Sequence, residues 1–368
     1  MFDRRLIENF DWGFLGIVFL LSCSGLVILY SAVTAGGSEA QQALFYKQIV
    51  WFGAGMIVMI ISLTINYREL ERWAPGLYIG CILLLIAVLI AGKIGGGSRR
   101  WLVFGPITVQ PSEIAKIGLI IILARFYSRN AMKRGFMLRE LFRPAVLILI
   151  PFILIMKQPD LGTAMLLVLI AASMTFFVGI EKRSFIFLSC AGGVTGILGW
   201  FFFLKTYQKE RILTFLNPDR DPLGTGYHII QSKIAIGSGM VTGKGFLKGT
   251  QNTLSFLPEQ HTDFIISVLA EEWGFAGTCT LLLIYAALLI WSLNIAHKSK
   301  DTFGTILSVG ITAMIFWEMF INIGMVMGLM PVVGVPLPFI SYGGSSVIAT
   351  FIGIGILLSV SMRRYVTE

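Results

Sequence analysis

The sequence predicts an all-α polytopic membrane protein in which residues 1–368 form a single domain, and three observations support that fold class. Of the 368 residues, 56% are apolar and only 13% are charged, and the mean hydropathy of +0.81 is far above that of a water-soluble domain. The apolar residues fall into separate stretches, many of which reach the roughly 20 residues that cross about 30 Å of hydrocarbon. The positive charges gather in alternate loops between these stretches.

About ten transmembrane helices are predicted from the apolar stretches. In chain order the predicted spans are approximately 13–33, 48–65, 76–92, 113–127, 144–156, 161–179, 184–204, 263–296, 304–330 and 345–362. The loop between the seventh and eighth spans, about 205–262, is much longer than the others.

Lys and Arg are distributed unequally between the two sides of the predicted bundle. If the N-terminus is inside, the inner segments hold 16 of the 29 and the short outer loops hold five. The positive-inside rule then places both termini in the cytoplasm and the long loop outside. The same distribution argues against a nucleic-acid partner, which the net charge of +9 would suggest in a soluble chain.

The fourth and fifth predicted spans are too short for ordinary lipid-facing helices. The fourth has an uninterrupted apolar run only from Ile117 to Ala124, and Pro151 interrupts the fifth. Such segments are tolerated where the backbone lines a cavity that protein encloses. Because the two spans meet at the outer side, the sequence predicts a cavity there that opens outward.

Four charged residues lie near this predicted cavity. Glu113 and Lys116 share one face of the fourth helix at i and i+3, Asp160 follows the fifth span, and Arg100 precedes the fourth. Ionisable groups at membrane depth are costly and by default mark a functional pathway, although Glu113 and Lys116 also fit a structural ion pair. Arg100 is suited to bidentate phosphate contacts and equally to snorkelling at the membrane interface.

Asp263 lies at the predicted start of the eighth span, where free backbone N–H groups and the helix dipole favour an ionised carboxylate. It could cap the helix, as could Thr262, or act as a base, and one role does not exclude the other. Glu271 and Glu272 follow about 12 Å deeper, at 1.5 Å per residue. At least one of them should face a cation or the cavity, and Lys116 is a candidate for that cation.

Two segments outside the predicted spans are unusual. In the long loop, residues 227–236 carry apolar side chains at helical spacing together with Lys233, which predicts a helix lying on the membrane surface. Residues 331–346 are apolar but broken by Pro and Gly, which indicates a re-entrant or cavity-lining segment. Glu318, inside the ninth span, is a carboxylate to which the sequence assigns no role.

Several long motifs resemble those of one protein family. They are QPSEIAK, KQPDLGTA, YHIIQSKIAIGSG, LPEQHTDFIISVLAEEWG and NIGMVMGLMPVVGVPLPFISYGGSS. With the ten-span layout, they make nearly the whole chain resemble the SEDS family (shape, elongation, division and sporulation). The motif YHIIQSKIAIGSG is more similar to members that act in cell elongation than to those that act in division.

This resemblance implies an activity, partners and a location. It implies a peptidoglycan glycosyltransferase that polymerises lipid II into glycan strands at the outer face of the bacterial inner membrane, during elongation and rod-shape maintenance. The implied partners are lipid II, a class B penicillin-binding protein transpeptidase and other elongation-complex proteins. A divalent cation, Mg or Mn, is compatible with this chemistry, and no organic cofactor is expected.

The resemblance also implies roles for particular residues. The essential aspartate of the family falls on Asp263. Its conserved cavity residues fall on Arg100, Glu113, Lys116 and Asp160. Charge and position add Lys233 and Glu271 to the predicted residues that bind the substrate and its pyrophosphate. Glu318 departs from the family pattern, in which this position tends to be apolar.

The expected chemistry is a direct displacement with inversion, because the donor linkage is α and the glycan linkage is β. Asp263 would act as general base on the 4-hydroxyl of the acceptor sugar, while Lys116 and Arg100 would stabilise the leaving pyrophosphate. A lipid II flippase and a non-catalytic scaffold for the transpeptidase are alternatives, since broken spans and buried charges also occur in transporters. Clustering of the charges on the outer side argues against the flippase, and the division homologue is an alternative within the enzyme class.

Overall fold

The helices form close to where the sequence predicts them. The computed structural model describes residues 10–35, 39–95, 98–105, 107–130, 135–221, 224–254, 256 and 260–364. The α-helices within these residues are α1 (Trp12–Thr34), α2 (Glu39–Thr64), α3 (Tyr67–Ala91), α4 (Pro111–Arg129), α5 (Phe142–Lys157), α6 (Leu161–Val178), α7 (Lys182–Leu198), α8 (Thr206–Leu216), α9 (Thr225–Ser238), α10 (Thr250–Thr253), α11 (Ile265–His297), α12 (Thr302–Val326) and α13 (Gly344–Met362).

Among the described residues, eight helices are long and apolar enough to cross a membrane, namely α1, α2, α3, α6, α7 together with its π-helical continuation to Phe202, α11, α12 and α13. The nearly all-helical class is therefore confirmed, and the chain is a multi-pass membrane protein. The other two predicted spans, α4 and α5, are the two that the sequence marks as short. The count of ten spans and the cytoplasmic termini stay predictions, and four contributors to the charge asymmetry, Arg4, Arg5, Lys133 and Arg134, lie outside the described residues.

Helix α4 tolerates charged residues because it lies inside the bundle. It packs against α3, α6, α12 and α13, and every residue from Ala115 to Ala124 is buried. Pro111 occupies the first turn, where a missing N–H leaves no intrahelical hydrogen bond unmade. A helix surrounded by protein needs no long lipid-facing run, so its apolar segment can be short.

A small antiparallel sheet between α3 and α4 accompanies the helical bundle and was not predicted from the sequence. It contains β1 (Lys93–Gly95), β2 (Ser98–Phe104) and β3 (Ile107–Val109), in the order β1-β2-β3. Leu102 pairs with Val109, and Gly105 takes a φ of 61° after β2, a left-handed conformation that favours glycine. β1 and β3 have three residues each, and β2, with the sequence SRRWLVF, lacks the period-2 alternation that predicts a strand. The sheet places Arg100 and Trp101 beside the start of α4.

The segment between α12 and α13 has the character predicted for it. Residues 331–337 form no regular structure, yet Val335 and Leu337 are buried. Asn322 donates a hydrogen bond to the carbonyl of Val335 (2.8 Å), and the N–H of Leu337 donates to Ser341 Oγ (2.9 Å). Irregular backbone can lie inside this bundle because neighbouring side chains satisfy its polar groups.

Candidate functional site

A polar cavity of about 460 Å³ lies at the end of the bundle where α4, α11 and α13 begin. Its polar lining includes the side chains of Arg100, Gln110, Glu113, Arg211, Asp263 and Tyr342. These residues come from β2, the start of α4, α8 in the long loop, the turn before α11, and the segment before α13. The predicted cavity is therefore present beside the short helix α4, and two guanidinium groups and two carboxylates line it.

Asp263 is held on the cavity wall by its own backbone turn. The structure begins α11 at Ile265 with Phe264 at the N-cap, so Asp263 lies just before the helix. Asn322 donates a hydrogen bond to the Asp263 carbonyl (3.0 Å), and Ser341 Oγ donates one to the Thr262 carbonyl (2.6 Å). These two contacts fix the turn to α12 and to the segment before α13.

Gly334 allows the Asp263 carboxylate to approach that segment closely. Its φ of 71° is left-handed, and a Cβ at this position would lie 3.2 Å from Asp263 Oδ2. Only glycine adopts this conformation without strain and leaves that space open. The carboxylate is half-buried and faces the cavity from this position.

Arg100 and Asp160 form a second part of the wall. Arg100 donates a hydrogen bond to the Pro159 carbonyl, and its Nη1 lies 3.9 Å from Asp160 Oδ1. Asp160 caps α6 by accepting from the Thr163 N–H (3.2 Å), and it also accepts from Gln110 Nε2 (3.2 Å). Asp160 is therefore buried behind the lining and orients Arg100 and Gln110, which face the cavity.

Lys116 lies behind Glu113 with a carboxylate on each side. Its Nζ is 2.9 Å from Glu113 Oε2 and also forms an ion pair with Glu318. Lys116 and Glu318 are almost fully buried, whereas Glu113 reaches the cavity lining. The predicted ion pair of Glu113 and Lys116 is present. Glu318, to which the sequence assigned no role, extends it to a cluster of three charged side chains.

The structure does not bring Lys233 and Glu271 to this cavity. Lys233 lies on α9, the helix predicted for residues 227–236, where it is exposed and its stem packs over Gly328. Glu271 is buried and paired with Lys244 Nζ (2.6 Å) of the long loop. The prediction that Lys116 could be the cation for Glu271 is wrong, because Lys116 is held by Glu113 and Glu318 instead.

Sequence reasoning missed Arg211, Gln110 and Tyr342. Arg211, on α8, donates to the Val332 carbonyl (3.2 Å) and brings a second guanidinium to the lining. Its only sequence signal is a cation on a short helical stretch of the long loop. Tyr342 lies on the cavity lining, and burial raises the pKa of its hydroxyl above the ordinary value.

The described residues contain no group of three or more His, Cys, Asp or Glu side chains that could hold a metal ion. Mg²⁺ needs only one or two protein carboxylates when substrate phosphates supply further ligands. Asp263 and Glu113, both on the cavity wall, are two such carboxylates. The donor set therefore fits a divalent cation that enters with a phosphorylated substrate.

The fold and the cavity together define a multi-pass membrane protein with a polar site at one end of its helical bundle. Residues 11–366 match the model of a family described as "Cell cycle protein", which takes its name from FtsW, RodA and SpoVE. The chain belongs to this FtsW/RodA/SpoVE family. The family resemblance stated from the motifs is thereby confirmed.

Curated relatives match over nearly their whole length. Peptidoglycan glycosyltransferase MrdB of Escherichia coli (strain K12) is 44% identical over 340 residues, which cover 92% of this chain and 91% of that protein. A probable peptidoglycan glycosyltransferase FtsW of Geobacter metallireducens is 38% identical over 370 residues, covering 98% and 97%.

Solved structures share the fold. The rod shape determining protein RodA of Thermus thermophilus superimposes with a TM-score of 0.72 at 29% identity, covering 97% of this chain and 98% of that one. A chain from a peptidoglycan synthase complex, described as coordinating polymerization and crosslinking, gives a TM-score of 0.82 at 33% identity, with coverage of 97% and 98%.

Proposed function

We propose that this chain is a peptidoglycan glycosyltransferase that polymerises lipid II into glycan strands during cell elongation and rod-shape maintenance. The similarity to MrdB and to RodA supports this activity and favours elongation over division. The observation that carries the proposal is the cavity itself, whose lining brings together Asp263, Glu113, Arg100 and Arg211. Transfer of a sugar from a polyprenyl pyrophosphate needs a base for the attacking hydroxyl and cations for the leaving pyrophosphate, at one membrane-embedded site.

The reaction joins two lipid-linked sugars. The 4-hydroxyl oxygen of the incoming lipid II attacks the anomeric carbon of the growing glycan, which is held on its own polyprenyl pyrophosphate. The new bond joins this oxygen to the carbon, and the bond from the carbon to the pyrophosphate oxygen breaks with its electron pair. Attack opposite the leaving group converts the α linkage to a β linkage, so the transfer is inverting.

Asp263 acts as the general base that accepts the proton of the 4-hydroxyl group. The hydrogen bonds of Asn322 and Ser341 fix the backbone of the turn, and Gly334 leaves the carboxylate room to face the cavity. A base held in one orientation removes a proton from the attacking group as the new bond forms. Loss of this carboxylate therefore removes the proton acceptor and leaves the rest of the wall in place.

Arg100 and Arg211 neutralise the leaving pyrophosphate. Both guanidinium groups reach the lining, and arginine can bind phosphate oxygens in pairs. Lys116, predicted for this role, lies behind Glu113 and acts through it, by orienting that carboxylate. A divalent cation would be held by Asp263 or Glu113 and would add positive charge beside the pyrophosphate.

The end of the bundle that carries the cavity faces the outside of the bacterial inner membrane. The charge distribution of the loops supports this orientation, since the long loop that supplies Arg211 is predicted to lie outside. The partner is a class B penicillin-binding protein transpeptidase, with other elongation-complex proteins, because the related synthase complex couples polymerization to crosslinking.

The test is polymerisation of labelled lipid II by the purified protein, alone and with its transpeptidase partner, with and without a chelator. We expect glycan product from the natural chain and none from the Asp263→Ala variant. Absence of product with the partner present, combined with movement of lipid II across liposome membranes, would identify a flippase instead. Depletion in cells should give round cells, whereas unseparated filaments would indicate the division homologue.

A further inference from the structure

Helix α11 is broken at Gly274, eleven residues after the aspartate of the proposed site. Gly274 has φ 65° and ψ −160°, which is not a helical conformation. In an unbroken helix, the N–H groups of Phe275 and Ala276 would bond to the carbonyls of Glu271 and Glu272. The break separates these partners and leaves four backbone polar groups that need other hydrogen bonds inside a membrane protein.

One loop satisfies all four of these groups. We call residues 239–245, in the long loop after α9, the clasp loop. The N–H groups freed by the break donate to its carbonyls, and its own N–H groups donate to the carbonyls freed by the break. The four bonds are Phe275 N to Met240 O (2.9 Å), Ala276 N to Val241 O (3.0 Å), Lys244 N to Glu271 O (3.0 Å) and Gly245 N to Glu272 O (2.9 Å).

Glycines allow the clasp loop to lie against the helix. Gly243 and Gly245 have φ values of 77° and 102°, a region that side chains rarely adopt. Gly239 lies directly against the carbonyl of Ala270, where a Cβ would clash. The loop is therefore shaped to fit this break.

A charged pair strengthens the same contact. Lys244 Nζ lies 2.6 Å from Glu271 Oε1, which also accepts from Thr250 Oγ1 (3.0 Å) and from the N–H of Gln251 (3.1 Å). Beside it, Ser31 of α1 donates to Glu272 Oε1 (2.5 Å). The break is thus tied to the long loop through Glu271 and to α1 through Glu272.

The half-helix between Asp263 and the break, residues 265–273, is held at both ends. Residues 265–272 are all buried, and the turn that precedes them is fixed by Asn322 and Ser341. We propose that Lys244 and Glu271 are positioning residues for glycan transfer, because their ion pair fixes the rear of the half-helix whose front carries Asp263. This inference rests on the proposed role of Asp263.

Loss of the ion pair should affect the rate of transfer more than substrate binding. The half-helix would gain freedom at its rear, and a base displaced by about 1 Å can lower a rate about 100-fold. Arg100 and Arg211 lie on β2 and α8, outside the half-helix, so their contacts with the pyrophosphate would be kept. A residue that only supported folding would not separate kcat from KM in this way.

The experiment measures kcat and KM for lipid II polymerisation by the full-length chain with its partner. For Lys244→Met we expect kcat to fall at least about tenfold while KM stays within about twofold, and for Lys244→Arg we expect most of kcat to return. The control is Lys248→Met, an exposed lysine just after the clasp loop, which should behave as the natural chain. Thermal unfolding of each purified variant checks that all are folded.

Two results would overturn the inference. In the first, folded Lys244→Met and Glu271→Gln have the same kcat as the natural chain. In the second, Lys244→Met and Lys244→Arg lose kcat equally. If Lys244→Met does not fold, Glu271→Gln, which keeps the acceptor oxygen for Gln251 N–H, decides by the same kinetic criterion. Asp263→Asn, assayed in parallel, tests the proposed base separately, since its full activity would refute that role whatever Lys244 does.

Discussion

Two Lys–Glu clusters with buried carboxylates differ in their surroundings. In the first, Lys116 is enclosed by Glu113 and Glu318, and Glu113 reaches the wall of the cavity. In the second, Lys244 pairs with Glu271, and backbone groups of the long loop close over the carboxylate. The first cluster, unlike the second, therefore opens onto the cavity of the proposed site.

The clusters also differ in how their carboxylates are satisfied. Glu271 Oε1 accepts hydrogen bonds from Thr250 and from the Gln251 N–H in addition to the lysine. Among the described residues, Lys116 is the only cation that forms an ion pair with Glu113 or with Glu318. Removal of the lysine should consequently have unequal effects in the two clusters.

The largest effect is expected from Lys116→Met. This change leaves two carboxylates buried without a cation, and breaking a buried pair in this way costs about 3–5 kcal/mol. Lys244→Met should destabilise the fold much less, because Glu271 keeps its other donors. Thermal unfolding of both variants in one detergent measures the difference.

Glu318→Leu is the matched control for that comparison. It removes one of two carboxylates and leaves Lys116 paired with Glu113, so it should cost clearly less than Lys116→Met, because no buried charge is left without a partner. Equal losses from Lys116→Met and Lys244→Met would show that the two clusters do not differ as described.

Gly334→Ala should lower the polymerisation rate about tenfold. The added Cβ would meet Asp263 Oδ2, and alanine is strained at a φ of 71°. The control is Gly179→Ala. Gly179 follows α6 with a left-handed φ of 98° and does not line the cavity, so alanine adds backbone strain alone there and should keep the natural rate. If both variants lose the same activity, strain alone is responsible and the contact with Asp263 is irrelevant.

Arg211→Lys is expected to have the smallest effect, a rise in KM for lipid II of up to about tenfold with a smaller change in kcat. Lysine keeps the charge but loses the paired donors that bind phosphate oxygens. Arg220→Lys, an exposed arginine of the same loop, serves as the reference. An unchanged KM for Arg211→Lys would place the pyrophosphate elsewhere in the cavity.

Much of the bundle could be predicted because apolar length and charge placement follow from the membrane itself. The short helix α4, the segment at 331–337 and the pairing of Glu113 with Lys116 all follow from local sequence. The partner of Glu271 could not be predicted, because Lys244 is 27 residues away in the chain and lies beside Glu271 only where the helix is broken at Gly274. A glycine within an apolar helical pattern gives no sign that the helix is interrupted there.

The positions of Glu318 and Arg211 could not be predicted for a similar reason. Glu318 meets Lys116 across 202 residues of chain, and Arg211 reaches the cavity where the long loop meets the segment after α12, at the Val332 carbonyl. Asp263 could be predicted because both of its signals, the apolar span that follows it and the motif that contains it, lie within one short stretch of sequence. Contacts between distant segments depend on packing, which periodicity does not encode.

The most direct test of the central claim compares lipid II binding and polymerisation in Asp263→Asn. The change keeps the size of the side chain and removes its basicity, so we expect natural affinity for lipid II and a polymerisation rate lower by about 10²–10⁴-fold. A variant that binds lipid II and polymerises it within about twofold of the natural rate would contradict the assignment of Asp263 as the base.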